Sequence, residues 1–139
     1  MAGWATGSFE NDNAQAWLTQ LTSLSVEDLQ PLLSRAANNA DYLEAPEASV
    51  AVAAAEAIAA LKGVPSLSAP KEIVAWAHKA KSEDGSIPDL TGLAIRAIQR
   101  VRTNSELKDL WLEAEGLNEW SANLRDLEKR LAVEQLPEE

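Results

Sequence analysis

The sequence predicts an all-α protein: a compact single-domain bundle of six or seven helices around an Ala-rich central helix. Three observations carry that prediction. Apolar residues recur at three- and four-residue spacing along most of the chain, and alternation at period two never persists. The intervening segments, Gly63 to Pro70 and Lys81 to Pro88, are rich in Gly, Ser and Pro but too short to be domain linkers. The 139 residues, 46% hydrophobic and 24% charged, suit one domain with its own core. That domain is expected to span residues 1–139. Residues 1–10 form an N-terminal segment anchored by Trp4 and Phe9, and residues 135–139 a frayed tail.

The elements follow in order. Ala14, Trp17, Leu18 and Leu21 make one helical stripe behind the cap candidates Asn11 and Asp12. Leu29, Leu32, Leu33 and Ala36 make the next, with Pro31 read as its first turn and Ser25 to Gln30 as a separate turn. A third helix opens at Pro46 and closes at Gly63. Eight of its 17 residues from Pro46 to Lys62 are alanine, which lets neighbouring helices approach closely. It is therefore the central helix, with Val50, Ala54, Ala57, Ile58 and Leu61 as core stripe.

A short helix follows Pro70, burying Ile73, Trp76, Ala77 and Ala80. Another begins near Pro88 on the stripe Leu90, Leu93, Ala94, Ala97, Ile98 and Val101. Thr103 and Glu106 have capping-box spacing ahead of Leu107, Leu110, Trp111 and Ala114, and Gly116 ends that helix. Trp120, Leu124, Leu127 and Leu131 define the last. Most of the five tryptophans fall on these stripes and read as core.

Composition excludes several function classes. With no cysteine, a disulfide scaffold, a thiolate metal site and a cysteine nucleophile are all ruled out. The net charge of -10 argues against sequence-independent nucleic-acid binding. It is unevenly spread: residues 1–61 carry -7, residues 62–102 carry +3 and residues 103–139 carry -6. The stretch Ala48 to Leu61 is 14 residues long and interrupted by Glu56, too short for a bilayer span of about 20. No secretory pattern opens the chain, so a cytoplasmic protein is expected. No phosphate-binding loop, dinucleotide fingerprint or nucleophile elbow is present, and no cofactor is expected.

The remaining candidates for binding are few. Asn11 and Asp12 read first as caps and alternatively as ligand contacts at the mouth of a pocket. In the segment Asp41-Tyr42-Leu43-Glu44-Ala45-Pro46-Glu47, spacing of three between the acids would align carboxylates on a helix, as magnesium requires. Pro46 disfavours helix at Ala45, which makes Glu47 a first-turn acid favoured by the helix dipole and leaves Glu44 solvated. Glu56 is the lone charge of the alanine helix. On a wet face it is unremarkable; if surrounded, it needs a cation, for which Arg96 or Arg100 is the expected partner. The single histidine, His78, cannot make a multi-histidine metal centre and reads as a cation near a helix end.

Three blocks carry a family resemblance. Trp4-Ala5-Thr6-Gly7-Ser8-Phe9-Glu10-Asn11-Asp12, continuing to Ala14 and Trp17, resembles the opening Trp-Gly-x-Gly-x-Phe-x-Asn-Asp pattern of the bacterial domain-of-unknown-function family 4259. The stretch from Tyr42 through Glu44 and Glu47 to Ala54-Ala55-Glu56 resembles its second block, and Ser105-Glu106-Leu107 leading to Leu110-Trp111 its third. Ala5 stands where the family usually has glycine, and Ala16 where an acid often precedes the tryptophan. The resemblance implies a small bacterial protein that stands alone as a domain, and it brings no activity.

Two functions then compete. The first is a protein-binding module, for instance an inhibitor or immunity-type partner, whose surplus negative charge attracts another protein with a basic surface. In that reading neither nucleic acid nor membrane is a partner. Asn11, Asp12, Tyr42, Glu44, Glu47 and Glu56 are the candidate contacts. The alternative is a small metal-dependent hydrolase using Glu44, Glu47 and Glu56, which requires the three carboxylates to converge.

Overall fold

The computed structural model of the protein describes residues 7–38, 41–82 and 89–132. They form seven helices: α1 (Asp12–Leu21), α2 (Val26–Asn38), α3 (Ala45–Leu61), α4 (Lys71–Ser82), α5 (Thr91–Thr103), α6 (Glu106–Glu113) and α7 (Leu117–Ala132). No strand occurs among the described residues. The protein is an all-α bundle. Trp4, Pro88 and the tail at 135–139 lie outside the described residues.

The alanine helix is the axis. Thirteen of the 17 residues of α3 are buried, including alanines on every side of it. It packs against each of the other six helices, while α2 lies along α5 and α5 along α7. Helices wrapped around a neighbour on all sides must come close to it, and a methyl group is the largest side chain most of those positions can hold. The expected stripe therefore needs correction: Ala54, Ala57 and Ile58 are buried, but Val50 and Leu61 sit half-buried at its rim. The one-sided stripe failed because buried residues lie on every side of this helix, with only Pro46 exposed and Glu47, Val50 and Leu61 half-buried.

The other helices bury most of the predicted residues; Leu32, Ala80, Leu93 and Leu110 are only half-buried, and Ala114, at the end of α6, is exposed. Trp17, Leu29, Leu33, Ile73, Trp76, Ile98, Trp111, Trp120, Leu124, Leu127 and Leu131 all join the core. Trp76 also donates its indole N–H to the carbonyl of Leu24 at 2.9 Å, which satisfies the ring's one polar group.

Two boundaries differ from expectation. Helix α2 begins at Val26 and runs through Pro31. Ser25 starts it, since its N–H bonds Asp28 Oδ2 at 2.8 Å and its hydroxyl accepts from Asp28 N at 3.4 Å. Pro31 is exposed, so the helix forgoes one backbone bond and buries Val26 and Leu29 in return. Likewise Thr103 is no N-cap. It closes α5, while Ser105 caps α6 by accepting from Lys108 N at 3.1 Å. Glu106 is thereby released for a different helix, described below.

The end of α6 holds the third difference. Gly116 donates to the Trp111 carbonyl at 3.0 Å and Glu115 to that of Leu112 at 3.3 Å, the paired bonds of a Schellman turn. The left-handed residue is Glu115, with φ 62°, and not the glycine. Gly116 serves close approach instead, since a Cβ there would lie 2.6 Å from the Trp111 ring. Glu115→Gly is expected to stabilise the protein by about 1 kcal/mol, because only a side chain makes that φ costly. Gly116→Ala is expected to cost about 1–3 kcal/mol by driving a methyl into a buried ring. Urea unfolding of both variants checks the pair, and equal signs would show that the turn is misread.

Candidate functional site

The most buried charge is Glu56, only 2% exposed, in the middle of α3. Its carboxylate is fully engaged. Arg130 of α7 donates Nη1 to Oε1 at 2.9 Å and Nη2 to Oε2 at 3.2 Å, a bidentate pair. Ser8, which precedes α1, donates its hydroxyl to Oε2 at 2.6 Å, and Asn123 of α7 donates to Ser8 Oγ at 3.0 Å. Arg130 also donates to Asp126 Oδ2 at 2.8 Å and to the carbonyl of Val64 at 3.2 Å. Burial alone would lower the guanidinium's pKa. The hydrogen bonds and charges of Glu56 and Asp126 outweigh it, so the net shift is upward and Arg130 stays a cation.

The expectation of Arg96 or Arg100 as partner is therefore corrected. Arg96 is exposed and reaches Asn38 at 3.4 Å, and Arg100 donates to the carbonyls of Asn104 at 2.9 Å and Asp41 at 2.6 Å. Their partners lie at the end of α2, just past α5 and in the segment before α3. Arg130 carried a faint signal that was missed. It flanks the buried stripe of Leu127 and Leu131, and it lies one turn beyond Asp126.

The N-terminal block is a scaffold for this network. Gly7 donates its N–H to Glu10 Oε1 at 3.0 Å, and a Cβ at Gly7 would sit 2.2 Å from that oxygen. Phe9 is buried beside it, as expected of an anchor, and its carbonyl accepts from Gln15 at 2.7 Å. Asn11 is the N-cap of α1, accepting from Ala14 N at 2.8 Å, whereas Asp12 is exposed in the first turn. The turn, the anchor and the cap place Ser8 over Glu56.

The second and third blocks meet each other. Glu106 donates its N–H to the Leu43 carbonyl at 2.8 Å, and its carboxylate accepts from Ala45 N, again at 2.8 Å. A residue of α6 thus caps the first turn of α3, whose own N-cap, Glu44, makes no side-chain bond. Glu44 is exposed. Glu47 is half-buried in a groove of about 230 Å³ between α2 and α3, beside Leu32, Arg35 and Val50. Glu44, Glu47 and Glu56 thus have three different surroundings. Among the described residues no group of three or more His, Cys, Asp and Glu side chains could hold a metal ion. His78 is exposed on α4.

Tyr42 differs from these in being both exposed and fixed. Its ring is 53% exposed, yet its hydroxyl donates to Asp109 Oδ2 of α6 at 2.5 Å. Leu112, one turn on from Asp109, is 56% exposed. The phenol's pKa is pushed up to about 12, first by the bond to Asp109, then by desolvation and the charges of Asp109, Glu106 and Glu113. This is the chain's only tyrosine, so its ionisation can be followed by phenolate absorbance. The wild type is expected to titrate near pH 12 and Asp109→Asn nearer the ordinary value of 10. Because the folded pKa lies above the unfolded one, this group's stabilisation is complete below about pH 10. It is lost as pH rises toward 12. Identical curves for the two proteins would show that Tyr42 is not tied to Asp109.

These features define a class: an all-α bundle on a buried alanine helix, with polar side chains that serve as caps, turns and a buried Glu56–Arg130 ion pair. The chain belongs to the family DUF4259, described as a domain of unknown function, whose model matches residues 3–123. No curated protein and no solved structure matches it. The three blocks of the resemblance all lie within the matched span. In the structure they account for the Ser8–Glu56 contact and the Glu106 cap of α3.

Proposed function

We propose that the protein is a protein-binding module, and that its recognition face is Tyr42 with the exposed side of α6. The single observation that carries this reading is the exposed Tyr42 ring, held by Asp109 and flanked by Glu106 and Glu113. An exposed aromatic already fixed in one orientation loses little entropy on binding, which is what an interface anchor needs. The carboxylates around it favour a partner with lysine or arginine, which could pair with Asp109 or Glu113 and lie over the ring face. The net charge of -10 would speed the approach of such a partner. Inhibition of a basic enzyme or toxin is one form this binding could take, with the cytoplasm as its setting. No helix among the described residues is long and apolar enough to cross a membrane.

The test is retention of basic proteins from a cell lysate on the immobilised chain, compared across variants. Tyr42→Ala and the pair Asp109→Lys, Glu113→Lys are expected to weaken a retained partner by at least about 30-fold, as for an interface hot spot. Glu27→Lys on α2 serves as a charge control and should change retention little. Partners held equally by all variants, or no partner at all, would rule out this face.

A further inference from the structure

We infer that the protein holds one internal water molecule beneath its N-terminal segment, bound to Ser49 of α3. Ser49 is fully buried, and its hydroxyl has no hydrogen-bond partner within the protein. A buried hydroxyl left unpaired costs about 1–3 kcal/mol, so such groups are nearly always satisfied by protein or water. Beside it lies a small cavity, which gives the centre of a water-sized sphere about 10 Å³ to occupy. That is about the least room a single water needs, and it is too small for any metabolite.

The walls supply what such a water requires. Ser8, Asn11, Ser49 and Asn123 are its polar lining, with Trp111 and Trp120 among its apolar walls. Asn11 spends its Oδ1 on the cap of α1, which leaves its amide as donor. Ser8 Oγ donates to Glu56 and accepts from Asn123, and keeps one lone pair. With Ser49 able both to donate and to accept, the water has the two to four partners that ordered internal waters show. It would extend the polar chain Arg130–Glu56–Ser8–Asn123 to Ser49, joining residues 7–11 to α3 and α7 through one more link. The ligand reading of Asn11 then narrows to this water.

The experiment is water-to-protein cross-relaxation by NMR on the full chain, supported by a high-resolution crystal structure. The wild type should show a long-lived water in contact with the Ser8 or Asn11 amides or a tryptophan indole N–H, and density bonded to Ser49 Oγ. In Ser49→Val, whose extra methyl fills the space, those cross-peaks should disappear. The wild-type measurement decides the matter even if that variant folds poorly. Absence of a long-lived water, or density showing Ser49 Oγ bonded back to the Ala45 carbonyl, would overturn the inference.

Discussion

Replacing Arg130 with methionine is expected to cost about 3–5 kcal/mol of folding stability, the usual penalty for removing one partner of a buried ion pair. For a domain of this size that is a fall in Tm of about 10–20 °C. The loss comes less from the missing attraction than from what remains. Glu56, 2% exposed, would be left with only the Ser8 hydroxyl as partner for its carboxylate. Asp126→Asn makes the contrast, because Asp126 is 65% exposed and its i,i+4 pair with Arg130 sits in water. That change should cost less than about 0.5 kcal/mol.

The triple variant Ser8→Ala, Glu56→Leu, Arg130→Met removes the whole charged unit and fills the space with apolar atoms. It should recover most of the loss and could exceed the wild type, since buried ion pairs rarely outperform well-packed hydrophobic side chains. The set is read by denaturant unfolding. If Arg130→Met costs under about 1 kcal/mol, water reaches Glu56 and the pair is a surface feature after all.

What the sequence revealed, and what it hid, follows from the range of the forces involved. The helices were legible because periodicity is local: Leu124, Leu127 and Leu131 declare their face without reference to any other element. Asn11 as N-cap and Gly63 as the close of α3 were legible for the same reason. Gly63 does hold the positive φ, 91°, that such a position favours. Partners across the bundle were not. Glu106 has the spacing to serve its own helix but caps α3, 61 positions away in sequence. Glu56 lies 74 positions from Arg130, and α5 and α7 each carry more than one arginine. Spacing along the chain carries no information about which helix lies opposite. Tyr42 was named from the sequence as one candidate contact among six, but its companions Asp109 and Glu113 appear only when α6 is seen against the loop before α3.

The second large effect concerns α3. Ala54→Leu is expected to cost about 3 kcal/mol, the upper end for overpacking a filled core. Leucine and alanine have nearly equal helix propensity, so the backbone contributes almost nothing to the difference. What decides it is space. Ala54 is fully buried on a helix in contact with six others, so a neighbour that yields on one side is pushed against the next. Val50→Leu on the same helix adds a methylene at the half-buried rim and should cost under about 1 kcal/mol. Urea unfolding gives both values, and similar costs at the two positions would mean that α3 is loosely held. A fourfold or larger ratio would show that its alanines are there for closeness rather than for helix formation. A helix built from good helix formers alone could use leucine, methionine or glutamate in the same places. Only a helix enclosed on all sides must use the smallest of them.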